Sequence, residues 1–179
     1  KNWDEPTDAL ETKLYRKDKS IITVEIERQI INYKNEPNNV IGILDVSNRK
    51  RIEEEIVKLS IALDQSANEI IITRKNGDIE YVNKSFTTIT GYLPSEVIGK
   101  NPRILKSGTH TAAFYKDLWK TLNKGQRWEG EFHNRKKNGE LYWEMAHIAP
   151  LRDEKGEITH FVAMKEDVTY RKQIEEQLR

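Results

Sequence analysis

Apolar residues in this chain first alternate at a period of two, then take up helical spacing, and then repeat the cycle at greater length. From Ile21 to Ile31, residues Ile22, Val24 and Ile26 fall on one face and Thr23, Glu25 and Glu27 on the other, the pattern of a half-buried strand. Leu10 to Arg16 reads as a strand before it and Val40 to Leu44 as one after it, with Asn35-Glu36-Pro37-Asn38-Asn39 as a turn cluster. Together they suggest a three-stranded antiparallel meander, entered through a polar segment at residues 1–9. Ser47 suits the N-cap of a following helix in which Ile52, Ile56, Leu59 and Leu63 are spaced 4, 3 and 4. That stripe fits either the seam of a short coiled coil or an amphipathic helix packed on its own domain.

The second cycle is fuller. Glu69 to Arg74 predicts a strand, Asn76-Gly77 a type I′ hairpin turn, and Ile79 to Val82 the partner strand. Asn83 to Thr90 predicts a short helix stopped by Gly91, and Pro94 to Gly99 a further helical turn. A longer helix is expected over Thr109 to Asn123, with Ala113, Tyr115, Leu118, Trp119 and Leu122 as its apolar stripe. Strands follow at 127–135, 140–150 and 158–166, and a last helix starts at Thr169. The expected class is α+β: a five-stranded antiparallel sheet with small helices on one face.

The two cycles share sequence. YRKDKSIITVEI from Tyr15 resembles NRKKNGELYWEM from Asn134, and DVSNRKRIEEEI from Asp45 resembles DVTYRKQIEEQL from Asp167. This suggests tandem copies of one domain, the first lacking its N-terminal half and hence its helices and pocket. In that alignment Glu25 falls on Glu144. The expected layout is the C-terminal part of a preceding domain at 1–46, a connector helix at 47–66, a complete domain at 67–168 and an exit helix at 169–179. Small domains joined by charged helices suit signal relay.

Composition narrows the functions. Charged residues make up 33% of the 179 and apolar residues 36%, while 30 basic and 29 acidic side chains nearly cancel. Such a balance argues against nucleic acid, which wants a basic face. No run of 18 apolar residues offers a membrane segment, and the polar start gives no signal peptide. The absence of cysteine excludes disulfides, thiolate metal sites and cysteine nucleophiles, and suits a cytoplasmic location. No phosphate loop, kinase phospho-acceptor motif or nucleophile triad is present, so no catalytic residue is expected.

Four segments then occur in a telling order: YVNKSFTTITGY (81–92), EVIGKNPRILKSG (96–108), NRKKNGELYWE (134–144) and HFVAMKEDVTYRK (160–172). In this order and spacing they resemble PAS sensory domains, over about 59–172. Residues 15–50 resemble the C-terminal half of another. The resemblance implies the PAS fold and a sensory or relay role in a bacterial-type signalling protein. It also implies an output domain of histidine kinase or diguanylate cyclase type in the same chain, and homodimerisation through connector helices and the outer sheet face.

Within the family the chain is most similar to flavin-binding members. GKNPRILKSG resembles the helix motif of light-oxygen-voltage photosensors, where a cysteine follows the asparagine. Pro102 stands there after Asn101, so a cysteinyl–flavin adduct is chemically excluded, and the segment is closer to redox-sensing domains that bind FAD without one. By this resemblance Asn134 meets the flavin's polar edge, Glu144 stands where a second asparagine would be, and Lys165 where a switching glutamine would be. Lys165 cannot accept a hydrogen bond, but its charge suits a reduced, anionic flavin. Alternatively Glu144 and Lys165 pair across adjacent strands and close an empty pocket. Arg103 and Lys106 suit phosphates or simply a solvated basic loop. Trp128 resembles a tryptophan of the flavin-binding redox members, or fills the core with Trp119. FAD, another ligand or haem, and no cofactor all stay open.

If Asn134, Glu144 and Lys165 face inward, then His133, Trp143, Met145, His147, His160, Val162 and Met164 face outward. Trp143, Met145, Val162 and Met164 form an apolar outer patch that calls for cover by a linker helix or a partner subunit. The histidines lack the carboxylates or spacing of a metal site. Asp167 and Thr169 are the expected relay between sheet and exit helix, with Thr169 capping the helix.

Overall fold

The computed structural model describes residues 9–34 and 36–178. The chain divides into two compact units, residues 1–60 and 61–179. In the first, strands β1 (Leu10–Tyr15), β2 (Ile21–Tyr33) and β3 (Glu36–Asp45) form an antiparallel sheet in that order. Helix α1 (Ser47–Asp64) follows. The expected meander is present, but β2 and β3 are longer than the alternation indicated. Residues Glu36 to Asn39 are strand, paired with Ile30 to Tyr33, rather than a turn cluster; Asn35, like residues 1–8 of the polar entry, lies outside the described residues. Pro37 is tolerated because β3 is an edge strand.

This unit keeps little apolar surface dry. Among its described residues, Val24 and Val46 are the buried apolar side chains, while Leu10, Ile21, Ile41, Ile43 and Leu44 stay exposed. Helix α1 buries none of its residues. Ile52, Ile56 and Leu59 of the predicted seam are 49%, 61% and 59% exposed, so this stripe is not packed on its own domain.

The second unit holds β4 (Glu69–Arg74), β5 (Ile79–Val82), α2 (Lys84–Thr90), α3 (Pro94–Val97) and a 3-10 turn at Pro102–Leu105. It continues through α4 (Ala112–Asn123), β6 (Trp128–Arg135), β7 (Leu141–Arg152), β8 (Ile158–Asp167) and α5 (Thr169–Gln177). The five strands are antiparallel in the order β5-β4-β8-β7-β6. Two apolar clusters fill the space between sheet and helices. One centres on Ile71, Phe86 and Leu105, the other on Leu118, Trp128, Phe132 and Phe161.

Local chemistry sets the boundaries. Asn83 caps α2 by accepting from Phe86 N, and Gly91 ends it at φ 78°. Helix α4 starts three residues later than its periodicity suggested, because the Thr111 side chain accepts from Phe114 N and fixes the cap there. The β4–β5 turn is not type I′, which needs positive φ at both central residues. Here Gly77 alone takes it, at φ 88°, while Asn76 Oδ1 accepts from Asp78 N.

The internal repeat is structural as well as sequential, with its register moved by one residue. Both hairpins carry a left-handed residue at the fourth loop position, Lys19 (φ 68°) in the first and Gly139 (φ 92°) in the second. Val24 therefore pairs with Asp45 as Glu144 pairs with Asp167. The sequence alignment of Glu25 with Glu144 is corrected: Val24 is the counterpart of Glu144, and Glu25 instead bonds Arg49 at 2.8 Å.

The connection from sheet to helix also recurs. Ser47 N donates to Asp45 Oδ1 at 3.0 Å, and Thr169 N to Asp167 Oδ1 at 2.9 Å. Thr23 N donates to Ser47 Oγ, and Trp143 N to Thr169 Oγ1, both at 2.9 Å. Lys50 pairs with Glu11 at 2.8 Å, and Lys172 with Glu131 at 2.7 Å.

Candidate functional site

Between the inner sheet face and α4 of the second unit lies a cavity of about 250 Å³. Its walls are apolar, with Ile71, Leu118, Phe132, Ile148, Phe161 and Ala163 among them. Its polar lining comprises Asn134 and Lys165 on the strands, Thr73 on β4, and Asn101, Arg103 and Lys106 in the segment after α3. Lys106 lies 3.4 Å from the centre of the Tyr115 ring, a cation–π contact, and its backbone bridges to Asn134. The basic rim is thereby tied to strand β6.

Alternation brings Asn134, Tyr142, Glu144 and Lys165 to one inner-face cluster. Lys165 Nζ donates to Glu144 Oε2 at 2.8 Å, so the expected cross-strand pair forms. Asn134 Nδ2 donates to the same oxygen at 2.7 Å, and Tyr142 Oη–H to Oε1 at 2.8 Å. Because a carboxylate only accepts, the Asn134 amide must turn its nitrogen to Glu144, which leaves Oδ1 without a partner among the described residues. Lys165 likewise uses one of its three donors and lies 5.2 Å from the Phe132 ring centre.

The cluster contains a fifth member. Glu69 opens β4 opposite Lys165 in the sheet and is fully buried. As a carboxylate it would leave both oxygens without a donor among the described residues. Burial, and then the charge of Glu144, hold its carboxyl well above the ordinary carboxylate range, against the opposing pull of Lys165. Burial without a donor and the raised carboxyl both favour its uncharged form, which can donate its proton to Glu144. Burial also works against the Glu144 charge, but Lys165, Glu69 and Tyr142 outweigh it and hold its carboxyl low. Burial opposes the Lys165 charge too; Glu144 and Glu69 overcome that and push the ammonium up. Tyr142 is driven upward by burial and by Glu144, and stays a donor. With Glu69 uncharged, the cluster holds one carboxylate and one ammonium and is neutral overall. A buried ion pair of this kind adds little net stability, because desolvation offsets its attraction.

The sequence-derived site residues divide accordingly. Asn134, Lys165, Asn101 and Arg103 line the cavity. Asn101 is already engaged, since its Oδ1 accepts from Arg103 N at 3.1 Å and its Nδ2 donates to Gly77 O at 3.0 Å. Glu144 sits behind the lining and orients Asn134 and Lys165. Trp128 is not on the lining: it packs in the core, 5.2 Å from the Phe132 ring and 5.5 Å from Phe114, whereas Trp119 is on it. Thr169 does not cap α5: it is the first residue of the helix, Val168 holds the cap position, and the Thr169 hydroxyl accepts from Trp143 N. On the outer face Trp143, Met145 and Val162 are half-buried and Met164 is exposed. The Trp143 ring stacks on His133 at 4.4 Å, with Lys172 over it at 5.4 Å.

Glu69 and Tyr142 were not singled out from sequence. Glu69 had a signal: it shares the inward phase of β4 with Ile71 and Thr73, and a charge in that phase of an EIIIT run needs a partner.

A PAS domain family model matches residues 67–170. The nitrogen fixation regulatory protein of Klebsiella oxytoca is 32% identical over 117 residues, 65% of this chain and 24% of that protein. The blue-light-activated histidine kinase of Brucella anthropi is 31% identical over 133 residues, 66% of this chain and 27% of that protein. The chain thus spans about a quarter of the length of these relatives. Among solved structures, the LOV domain of the Erythrobacter litoralis EL346 blue-light activated histidine kinase has a TM-score of 0.54 at 26% identity, covering 59% of this chain and 99% of that one. An RNA-binding light-oxygen-voltage receptor reaches 0.62 at 14% identity over 97% of this chain and 81% of that one, a likeness of fold alone. With sheet order, cavity and family match in agreement, the chain belongs to the PAS family of sensory domains found in signalling proteins.

Proposed function

We propose that the second unit is the ligand-sensing module of a larger, cytoplasmic, bacterial-type signalling protein and holds a flavin, FAD, in its cavity. One observation carries this reading: Asn134 Oδ1 and the spare Lys165 donors stand unused on the inner wall of a mostly apolar cavity. Unspent polar groups there suit a ring edge that both donates and accepts. The residues fit the group. A cavity of about 250 Å³ takes a ring system and leaves the phosphates to the mouth, where Arg103 and Lys106 stand. When bound, a flavin supplies redox chemistry. The chain's own residues orient its edge, exclude water and place a positive charge beside it.

Relay follows from the strands. Lys165 and Asp167 are two residues apart on β8, and Glu144 adjoins Trp143 on β7. Trp143 and Asp167 hold the start of α5 through Thr169, so a change at the Glu144–Lys165 pair acts on strands that anchor the exit helix. The first unit, with the same anchor and no cavity helices, serves as the sheet half of a preceding PAS domain. Helix α1 and the outer sheet face serve homodimerisation.

The test is the absorption spectrum of freshly purified protein, with mass spectrometry of a denatured extract. Flavin bands and an FAD mass are expected. A clean spectrum and an empty extract, together with no FAD uptake on reconstitution, would overturn the cofactor reading. They would favour a ligand-free dimerisation and relay module, a reading supported by the Glu144–Lys165 pair satisfying that wall of the cavity internally.

A further inference from the structure

We propose that Glu69 is a proton-holding positioning residue: its carboxyl hydrogen bonds Glu144 and thereby releases Lys165 and Asn134 to grip an anionic or acceptor-edged ring in the cavity. The proposal rests on the cavity being a ligand site. Three observations carry it. Glu69 is fully buried with no donor for either oxygen, which fits an acid and not a carboxylate. It lies across the ladder from Lys165, the buried ammonium of the cavity lining. And Glu144, with about four lone-pair sites, is bonded by the same two side chains that face the cavity.

Ligand and Glu144 therefore compete for Lys165 and Asn134. Were Glu144 to lose both, Tyr142 alone would satisfy a buried carboxylate. A proton on Glu69 supplies the missing donor. Without that proton, two carboxylates face one ammonium, and Lys165 is held between them. The charged and titratable groups around Glu69 are Glu144 and Tyr142 on β7 and Lys165 and Asp167 on β8. Of these, Lys165 alone opposes retention of the proton. No bond to the ligand is made or broken. The proton stays within the carboxyl pair, and its loss to solvent switches the grip off.

The experiment compares the 179-residue chain with Glu69→Gln, which keeps the shape and a donor but cannot ionise. Without ligand, urea unfolding across a pH series should show Glu69→Gln gaining on the native sequence. The ratio of their unfolding constants should change by about tenfold per pH unit above the ordinary carboxylate range, while Glu69 stays protonated in the folded protein alone. Parallel curves would overturn the proposal. With FAD as probe, followed by flavin fluorescence, native affinity should fall by about tenfold per pH unit where Glu69 ionises, and Glu69→Gln should stay flat. Equal pH dependence in both proteins would overturn it. If FAD binds neither protein, the flavin reading fails, and the ligand-free curves decide the Glu69 proposal by themselves. Should Glu69→Gln not fold, the infrared spectrum of the native protein at neutral pH decides: a protonated carboxyl band supports the proposal and its absence sinks it.

Discussion

Replacing Lys165 by methionine removes the one charge that balances Glu144. The pair is 2.8 Å apart with side chains 6% and 0% exposed. At that separation the gross attraction is roughly 6 kcal/mol for an effective dielectric near 20, most of it offset by the desolvation of both ions. What the single variant measures is different: a carboxylate left buried with Tyr142, Asn134 and the Glu69 carboxyl as its donors. Breaking a buried pair this way costs about 3–5 kcal/mol. Lys165→Met/Glu144→Gln removes both charges of the pair; the new amide oxygen accepts from Tyr142 and its nitrogen donates to Asn134 Oδ1 once that amide turns, so it should lie within about 1–2 kcal/mol of the native chain. Urea unfolding followed by tryptophan fluorescence suits the assay, because Trp119, Trp128 and Trp143 all report on the second unit. The pH dependence has a definite sign. Native Glu144 has its carboxyl held low, so its contribution is present above the ordinary value of 4.5 and lost as pH falls through the lowered one. In Lys165→Met the carboxyl is no longer held low and can take a proton, so the gap to the native protein should narrow on acidification. A single variant as stable as the double, with a coupling below about 0.5 kcal/mol, would refute the account of the cluster.

Other predictions follow from neighbouring contacts. Asp167→Ala strips the acceptor from Thr169 N and should weaken α5 by about 1 kcal/mol, seen as faster hydrogen exchange over 169–177. In the full protein it should uncouple output from sensing while ligand stays bound, and regulation that survived it would remove Asp167 from the relay. Phe132→Ala opens the wall between the cavity and the Trp128 cluster and should lower stability by about 3–5 kcal/mol in urea. Arg103→Ala/Lys106→Ala should weaken FAD but not riboflavin, with a smaller salt dependence; equal losses for both would mean the rim does not meet phosphates. Trp143→Glu and Met164→Glu should weaken dimerisation or helix docking, and unchanged sedimentation with unchanged melting would refute an interface there.

Much of the fold was legible because its signals are local. Asn83 before an apolar helix, Gly91 after it and the alternation in β7 each act within a few residues. Terminal positions were less legible, since Thr111 and Lys19 decide boundaries through single hydrogen bonds or a φ value that periodicity does not carry. The same limit explains the misread repeat: equal hairpin loops placed one residue apart put Val24, not Glu25, where Glu144 stands. Site residues were legible by another route. Asn134 and Lys165 came from the family resemblance, position by position, and the structure buries both on the inner face. Glu69 was missed because its meaning depends on Lys165, nearly a hundred residues on, and on a proton that no sequence displays.

The register of the two copies also bears on the order in which such a charge pair can enter a sheet. Where Glu144 stands in the second unit, the first has Val24, and the Lys165 position has exposed Ile43 as its counterpart. The Ile43 position is open to water, whereas a bare carboxylate could not enter at the buried Val24 position without a penalty that is a large share of the stability of a small domain. A glutamate can, by arriving as the uncharged acid, and a lysine can then join it and claim the proton's place. Building the pair into such a sheet one substitution at a time thus passes through an uncharged carboxyl, the state proposed for Glu69.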